Sequence, residues 1–144
     1  MNRIKMKMIS KKDKPSYSNS HAAGLDLRYI GEEKLIFSSG DHHMIGSGIH
    51  VEIPDGYFGL VAIRSGLGAK GLVLSNGVGI IDNDYRGEIK VPLYYHGEGE
   101  LVIEPGERVC QLLILPFVQA DIEYVDKLEK SDRGHDGFGS SGRF

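Results

Sequence analysis

Apolar and polar positions alternate over short stretches of this chain, and nowhere do they repeat at the 3.6-residue spacing of a long helix. Ile4-Lys5-Met6-Lys7-Met8 alternates strictly, which predicts a strand with one face on a core and the other in water. The same reading predicts strands over residues 25–29, 34–37, 49–53, 57–63, 78–81, 88–95, 101–103 and 109–116. Pro54-Asp55-Gly56, Gly97-Glu98-Gly99 and Pro105-Gly106 separate them and supply turn chemistry. Many short strands joined by such turns point to a sandwich, jelly roll or barrel rather than to βαβ units. Pro92 inside Val91-Pro92-Leu93 lacks a backbone donor and predicts a bulge or an edge position. One short helix is predicted over residues 65–70, weak on propensity because of its glycines.

Two stretches break the alternation. Leu112 to Val118 is apolar on both strand faces, and Leu72-Val73-Leu74 is similar on a smaller scale. A strand of a small sandwich usually shows one face to water, so a two-sided apolar strand predicts burial by another subunit.

Composition narrows the class. At 144 residues the chain has room for one core and none for a second domain of ordinary size. Its 20 glycines carry no three-residue period, which excludes collagen and fits a turn-rich fold. The net charge of −3 argues against a broad basic face and stable nucleic-acid binding, whereas a local anion pocket needs only an arginine or two and some N–H groups. Cys110 is the single cysteine, so no internal disulfide or paired-thiol metal site exists, and it reads as packing within an apolar strand. With no apolar run near the length of a membrane span and no signal-peptide pattern, the expectation is a soluble, cytoplasmic protein.

Three constellations can carry chemistry. Arg64-Ser65-Gly66-Leu67-Gly68 follows a predicted strand, and a glycine-rich turn into a helix start leaves N–H groups for an anion while the arginine adds charge. It lacks the GxxxxGK[ST] spacing of a Walker A loop, and these residues alone leave open that Ser65 caps a turn and Arg64 pairs with a surface carboxylate. In residues 76–88, Asp82 and Asp84 are bracketed by apolar residues and Tyr85, so one carboxylate can serve as a base beside a pocket. An ordinary Asx turn is the alternative there. Residues 133–142 combine Arg133, four glycines, Phe138 and two serines, a set suited to closing over a nucleotide or to a disordered tail.

Five blocks in order resemble the motifs of the trimeric deoxyuridine triphosphatases (dUTPases). They are Ala22-Ala23-Gly24-Leu25-Asp26-Leu27, Arg64-Ser65-Gly66-Leu67-Gly68-Ala69-Lys70, residues 76–88, Arg108-Val109-Cys110-Gln111-Leu112, and residues 133–142. The resemblance spans almost the whole chain. It implies an all-β, distorted jelly-roll (β-clip) subunit with one short helix, assembled as a homotrimer with active sites at subunit interfaces. Residues 1–130 would form the β domain, and residues 131–144 a flexible glycine-rich arm closing over a neighbour's site.

The implied reaction is hydrolysis of dUTP to dUMP and pyrophosphate by water attack on the α-phosphorus, which lowers dUTP and supplies dUMP for thymidylate synthesis. Asp82 resembles the general base. Asn76 and Gly77 resemble the start of a uracil-reading hairpin ending at Tyr85, whose ring packs under the deoxyribose where a 2′-hydroxyl would clash. Ser65, Gly66 and Gln111 resemble phosphate-chain ligands, with Arg64 steadying the site or the phosphates. Arg133 resembles a γ-phosphate clamp, Phe138 the ring stacked on uracil, and Gly139, Ser140 and Ser141 the rest of the phosphate cage. Mg2+ would be held mainly by the triphosphate, with Asp26 acting on it through water.

The chain departs from the family pattern in places: Ile63 stands where many members have proline, Asp136 replaces a common glycine, and Ser141 a frequent threonine. Rival readings are a deoxycytidine triphosphate deaminase, which needs a catalytic glutamate where Asp82-Asn83-Asp84-Tyr85 stands, and a jelly-roll scaffold, which leaves the arginine and aspartate blocks unexplained. A regulatory protein partner is a further expectation if the chain is phage-encoded.

Overall fold

The computed structural model describes residues 3–135 and 137. Eleven strands and one short helix occur in the order β1 (Lys7–Ser10), β2 (Leu25–Arg28), β3 (Leu35–Phe37), β4 (His42–Gly46), β5 (Ile49–Glu52), β6 (Tyr57–Ile63), α1 (Ser65–Gly68), β7 (Leu72–Leu74), β8 (Gly79–Ile81), β9 (Lys90–Tyr95), β10 (Leu101–Ile103) and β11 (Arg108–Pro116). They form a distorted jelly roll of four small antiparallel sheets: β1-β5, β10-β3, β2-β11-β6-β8 and β4-β9-β7. One hydrophobic cluster joins all four, with Phe37, Leu72, Ile89, Leu93, Ile103 and Leu112 wholly enclosed.

Most predicted strands are present within a residue or two. The first is displaced: Met6 and Met8 do pack on the core, but pairing begins at Lys7 and runs to Ser10, opposite Glu52 to Ile49. β4 was not predicted, because its two histidines, its glycine and its largely exposed Met44 do not look like a strand; pairing to β9 creates it. The helix stops at Gly68, shorter than the predicted 65–70, since Ala69 already acts as its C-cap and the chain turns at Gly71 with φ +92°. Pro92 lies in the central strand of its sheet rather than at an edge. Its carbonyl accepts from Ser75 N–H (2.8 Å) just where β7 has ended, and the missing donor points to that same vacated side.

The four-stranded sheet positions the chemistry. Its inner face carries Leu25, Leu27, Val61 and Leu112 into the core. Pairing of Gln111 with Asp26 and Ala62, of Leu113 with Leu60, and of Leu60 with Ile80 sets those residues on the outer face. That face runs from polar Asp26 and Gln111 to the half-buried Leu60, Leu113 and Leu115 and the exposed Ile80. β8 lies close on β6 because two glycines permit it: a Cβ on Gly59 would approach Ile81 Cβ to 3.0 Å, and one on Gly79 would approach Val61 Cβ to 3.1 Å. Cys110 is buried among inward-facing residues, and desolvation pushes its thiol up to about 12.

Candidate active site

At one end of β6 the chain leaves the sheet through Arg64, whose N–H donates to the Val109 carbonyl at 3.0 Å, and enters α1. Arg64 is the N-cap and has no side-chain cap bond, so Ser65 is the first helical residue rather than a cap. The Ser65 and Gly66 N–H groups belong to the first turn, which a helix start leaves without intrahelical partners. Nothing lies within 4 Å of a Cβ built on Gly66, so this turn opens on space. Arg64 Nε sits 3.3 Å from Asp26 Oδ1, and Arg108 Nη1 takes Asp26 Oδ2 at 3.1 Å. Asp26 is largely enclosed, with its side chain 12% exposed, while both arginines remain open to solvent. Gln111 packs over Gly24, where any side chain would collide with its amide. Two arginines on one carboxylate leave a formal charge of +1 beside free N–H groups, an arrangement suited to an anion.

At the other end of β6 the chain makes a different structure. Asn76 and Gly77 form the turn from β7 into β8, with Gly77 at φ +75° and Val78 N–H returned to the Asn76 carbonyl at 2.9 Å. β8 does not fold back on β7 or β9 as a simple hairpin would; it pairs with β6, so residues 76–85 cross from one sheet to the other and back. A turn closed by Tyr85 N–H to the Asp82 carbonyl (3.1 Å) ends this excursion. The Asp82 carboxylate is exposed and has no hydrogen-bond or ion-pair partner among the described residues. Tyr85 lays its ring over Gly87 and donates its hydroxyl to the Glu88 carbonyl at 2.9 Å, and the residue remains 42% exposed.

Glu88 secures the return. Its carboxylate accepts the Gly48 N–H at 2.8 Å and pairs with Lys11 at 3.0 Å, and these two bonds hold it below its ordinary value of 4.5, the backbone N–H contributing most. His50 donates from Nδ1 to the Arg86 carbonyl at 3.0 Å, bracing the same segment from β5.

Asp82 follows Ile81, which is level with Gly59, whereas Arg64 follows the far end of β6. Six residues of strand therefore separate the two groups, roughly 20 Å at strand rise. A general base works within about 3 Å of its proton or through one water, so Asp82 cannot serve a phosphate held at Arg64 and Ser65 of the same chain. Two concavities of about 240 and 260 Å³ do open on the surface, one lined by Lys12, Arg28 and Tyr29 and touching Asp26, the other by Met8, His50 and Arg86. Neither includes Asp82, Tyr85, Ser65 or Gln111.

Comparison with known proteins decides the family. The dUTPase family model matches residues 10–142. The chain belongs to the dUTPase family. It is 45% identical to a deoxyuridine 5'-triphosphate nucleotidohydrolase of Alcanivorax borkumensis over 131 residues, covering 90% of this chain and 87% of that protein. Identity to the protein of the same name from Nitrosospira multiformis is 41%, covering 99% of each. The Staphylococcus bacteriophage 80alpha dUTPase solved with dUPNHPP superposes with a TM-score of 0.83 at 26% identity, covering 96% of this chain and 99% of that one.

In this dUTPase chain the predicted site residues fall into two groups. Asp26, Arg64, Ser65, Gly66 and Gln111 gather at one end of the four-stranded sheet, and Asn76, Gly77, Asp82 and Tyr85 lie along the excursion through β8. Arg133 is exposed in the tail, and Phe138, Gly139, Ser140 and Ser141 lie outside the described residues. Sequence reasoning assigned no role to Arg108 or Glu88. The signal for Arg108 is the pair Val109-Cys110, two adjacent buried residues that break the alternation beside it. Among the described residues no three His, Cys, Asp or Glu side chains gather to hold a metal ion, and no helix is long and apolar enough to cross a membrane.

Proposed function

We propose that this chain hydrolyses dUTP to dUMP and pyrophosphate, at active sites that two or more copies of a homotrimer build together. The observation that carries the shared site is the separation of Asp82 from the Arg64–Ser65 end along β6. The outer face of the four-stranded sheet, with Leu60, Leu113 and Leu115 half-buried and Ile80 56% exposed, supplies the apolar surface such an association would cover.

Asp82 is the general base in this reading. Its carboxylate accepts a proton from a water aimed at the α-phosphorus, opposite the pyrophosphate leaving group, so the displacement is in line. Tyr85, fixed by its hydroxyl and by Gly87 beneath it, presents a ring face to the deoxyribose and leaves no room for a 2′-hydroxyl. Backbone groups near Asn76 and Gly77 read uracil. Cytosine would leave buried groups unpaired there, at about 1–3 kcal/mol per group. Ser65, Gly66 and Gln111 of another copy bind the phosphate chain, Arg64 steadies it, and the arm from Arg133 through Phe138, Gly139, Ser140 and Ser141 closes the site. Residues 131–144 act as this lid and residues 1–130 as the β domain.

Mg2+ fits this site only through the substrate. Both Asp26 oxygens are already engaged by guanidinium groups, which leaves their remaining lone pairs to accept from a water of the ion's shell rather than to bind metal directly. When bound, the ion neutralises phosphate charge. The reaction belongs to a cytoplasmic enzyme of nucleotide metabolism that lowers dUTP and yields dUMP for thymidylate synthesis.

Pyrophosphate release measured across dUTP, UTP, dTTP and dCTP tests the reading. dUTP is expected to be turned over far faster than the other three; equal rates on dUTP and UTP would remove the role given to Tyr85, and no turnover of dUTP would remove the function.

A further inference from the structure

Arg108 belongs to no predicted role, yet the backbone is bent to aim it. Alternation along β11 sets Gln111 outward and Leu112 inward, which would turn Arg108 toward the core. Instead the pairing of β11 with β2 shifts register between Arg108 and Cys110. Val109 and Cys110 are both 1% exposed, so two consecutive side chains turn inward and Arg108 is delivered to the outer face beside Asp26. A bulge that re-aims one side chain is a common device next to a site.

The result is a division of labour over one carboxylate. Arg108 donates to Asp26 Oδ2 at 3.1 Å, and Arg64 meets the other oxygen with Nε, at 3.3 Å and without a two-pronged hydrogen bond. Among the described residues the two Nη groups of Arg64 make no hydrogen bond, and Arg64 is the N-cap residue of the Ser65–Gly66 turn. An unshared carboxylate would favour a two-pronged bond with a single guanidinium, Nε and Nη together. We propose that Arg108 is a positioning residue: by occupying half of Asp26 it keeps the Nη groups of Arg64 available to the phosphate chain of the nucleotide. This rests on the reading that phosphates bind at this end of the sheet.

The trimer's affinity for the non-hydrolysable α,β-imido analogue of dUTP, measured by calorimetry in EDTA, tests the proposal without turnover or metal. Arg108→Gln is expected to weaken binding about tenfold to a hundredfold, the scale of losing charge-assisted bonds. Arg108→Lys, which can still pair with Asp26, should retain most of the affinity. Adding Asp26→Asn to Arg108→Gln should restore most of what the single change lost, because Arg64 is then no longer drawn away. A purely structural role predicts the reverse, with the double variant melting lower and binding no better. Unchanged binding in Arg108→Gln, equal losses in the Lys and Gln variants, or no recovery in the double variant would each overturn the proposal. Failure of the functional reading looks different: the unsubstituted trimer would itself not take up the analogue, and the proposal would fall with it.

Discussion

The two ends of β6 are built on opposite plans. At the Arg64 end charges are paired, Asp26 is enclosed, Gln111 is packed on Gly24, and a bulge fixes Arg108, so the side chains are set before any partner arrives. At the Asp82 end only the backbone is fixed: Glu88, His50 and the Tyr85 hydroxyl pin the turn, while the Asp82 carboxylate and the Val78 and Ile80 side chains stand in solvent. Preorganised cations suit a ligand whose charge is the same in every substrate of the class. An exposed carboxylate and apolar side chains suit a surface completed by a neighbour, where desolvation arrives with assembly.

The sharpest way to break this contrast is to remove Asp82. Asp82→Asn should lower kcat by roughly 10² to 10⁴ while analogue binding stays near the parent value, because only proton transfer is lost. Refolding that chain together with one carrying Arg64→Ala should recover part of the activity, since mixed trimers contain sites with both groups intact. A mixture no more active than its parts would place both groups in one chain's site. A smaller effect is expected from ending the chain at Lys130: the protein should sediment as a trimer and lose about tenfold to a hundredfold in turnover, the scale of charged contacts to phosphate. Full activity in that truncation would remove the lid.

The smallest effect concerns the pinning of the turn. The Glu88 carboxyl is lowered in the folded state, so its stabilising contribution is complete above its ordinary 4.5 and is lost as pH falls through the folded value. Glu88→Gln should therefore melt a few °C lower, roughly, at neutral pH and converge with the parent in acid. An equal melting difference at neutral and acid pH would assign Glu88 no charge-dependent role.

Much of this was legible in the chain. Short apolar runs bounded by turn residues placed β6 and β10 to the residue, and burial alternates along β10 and through the middle of β6. β4 escaped because pairing with β9, rather than its own propensity, makes it a strand. The candidate site residues came from their motifs, but the distance between the two groups was not legible, since it depends on β8 choosing β6 over its sequence neighbours. Arg108 escaped because a bulge reverses which way a strand residue faces, and period two alone would have sent it inward.

The enclosure of Cys110 carries a consequence for handling the protein in air. With its thiol pushed to about 12, only on the order of one molecule in 10⁵ holds the reactive thiolate at neutral pH. Thiol oxidation has almost nothing to attack, and disulfide cross-links between copies have no cysteine sulfur within reach while each fold stays closed.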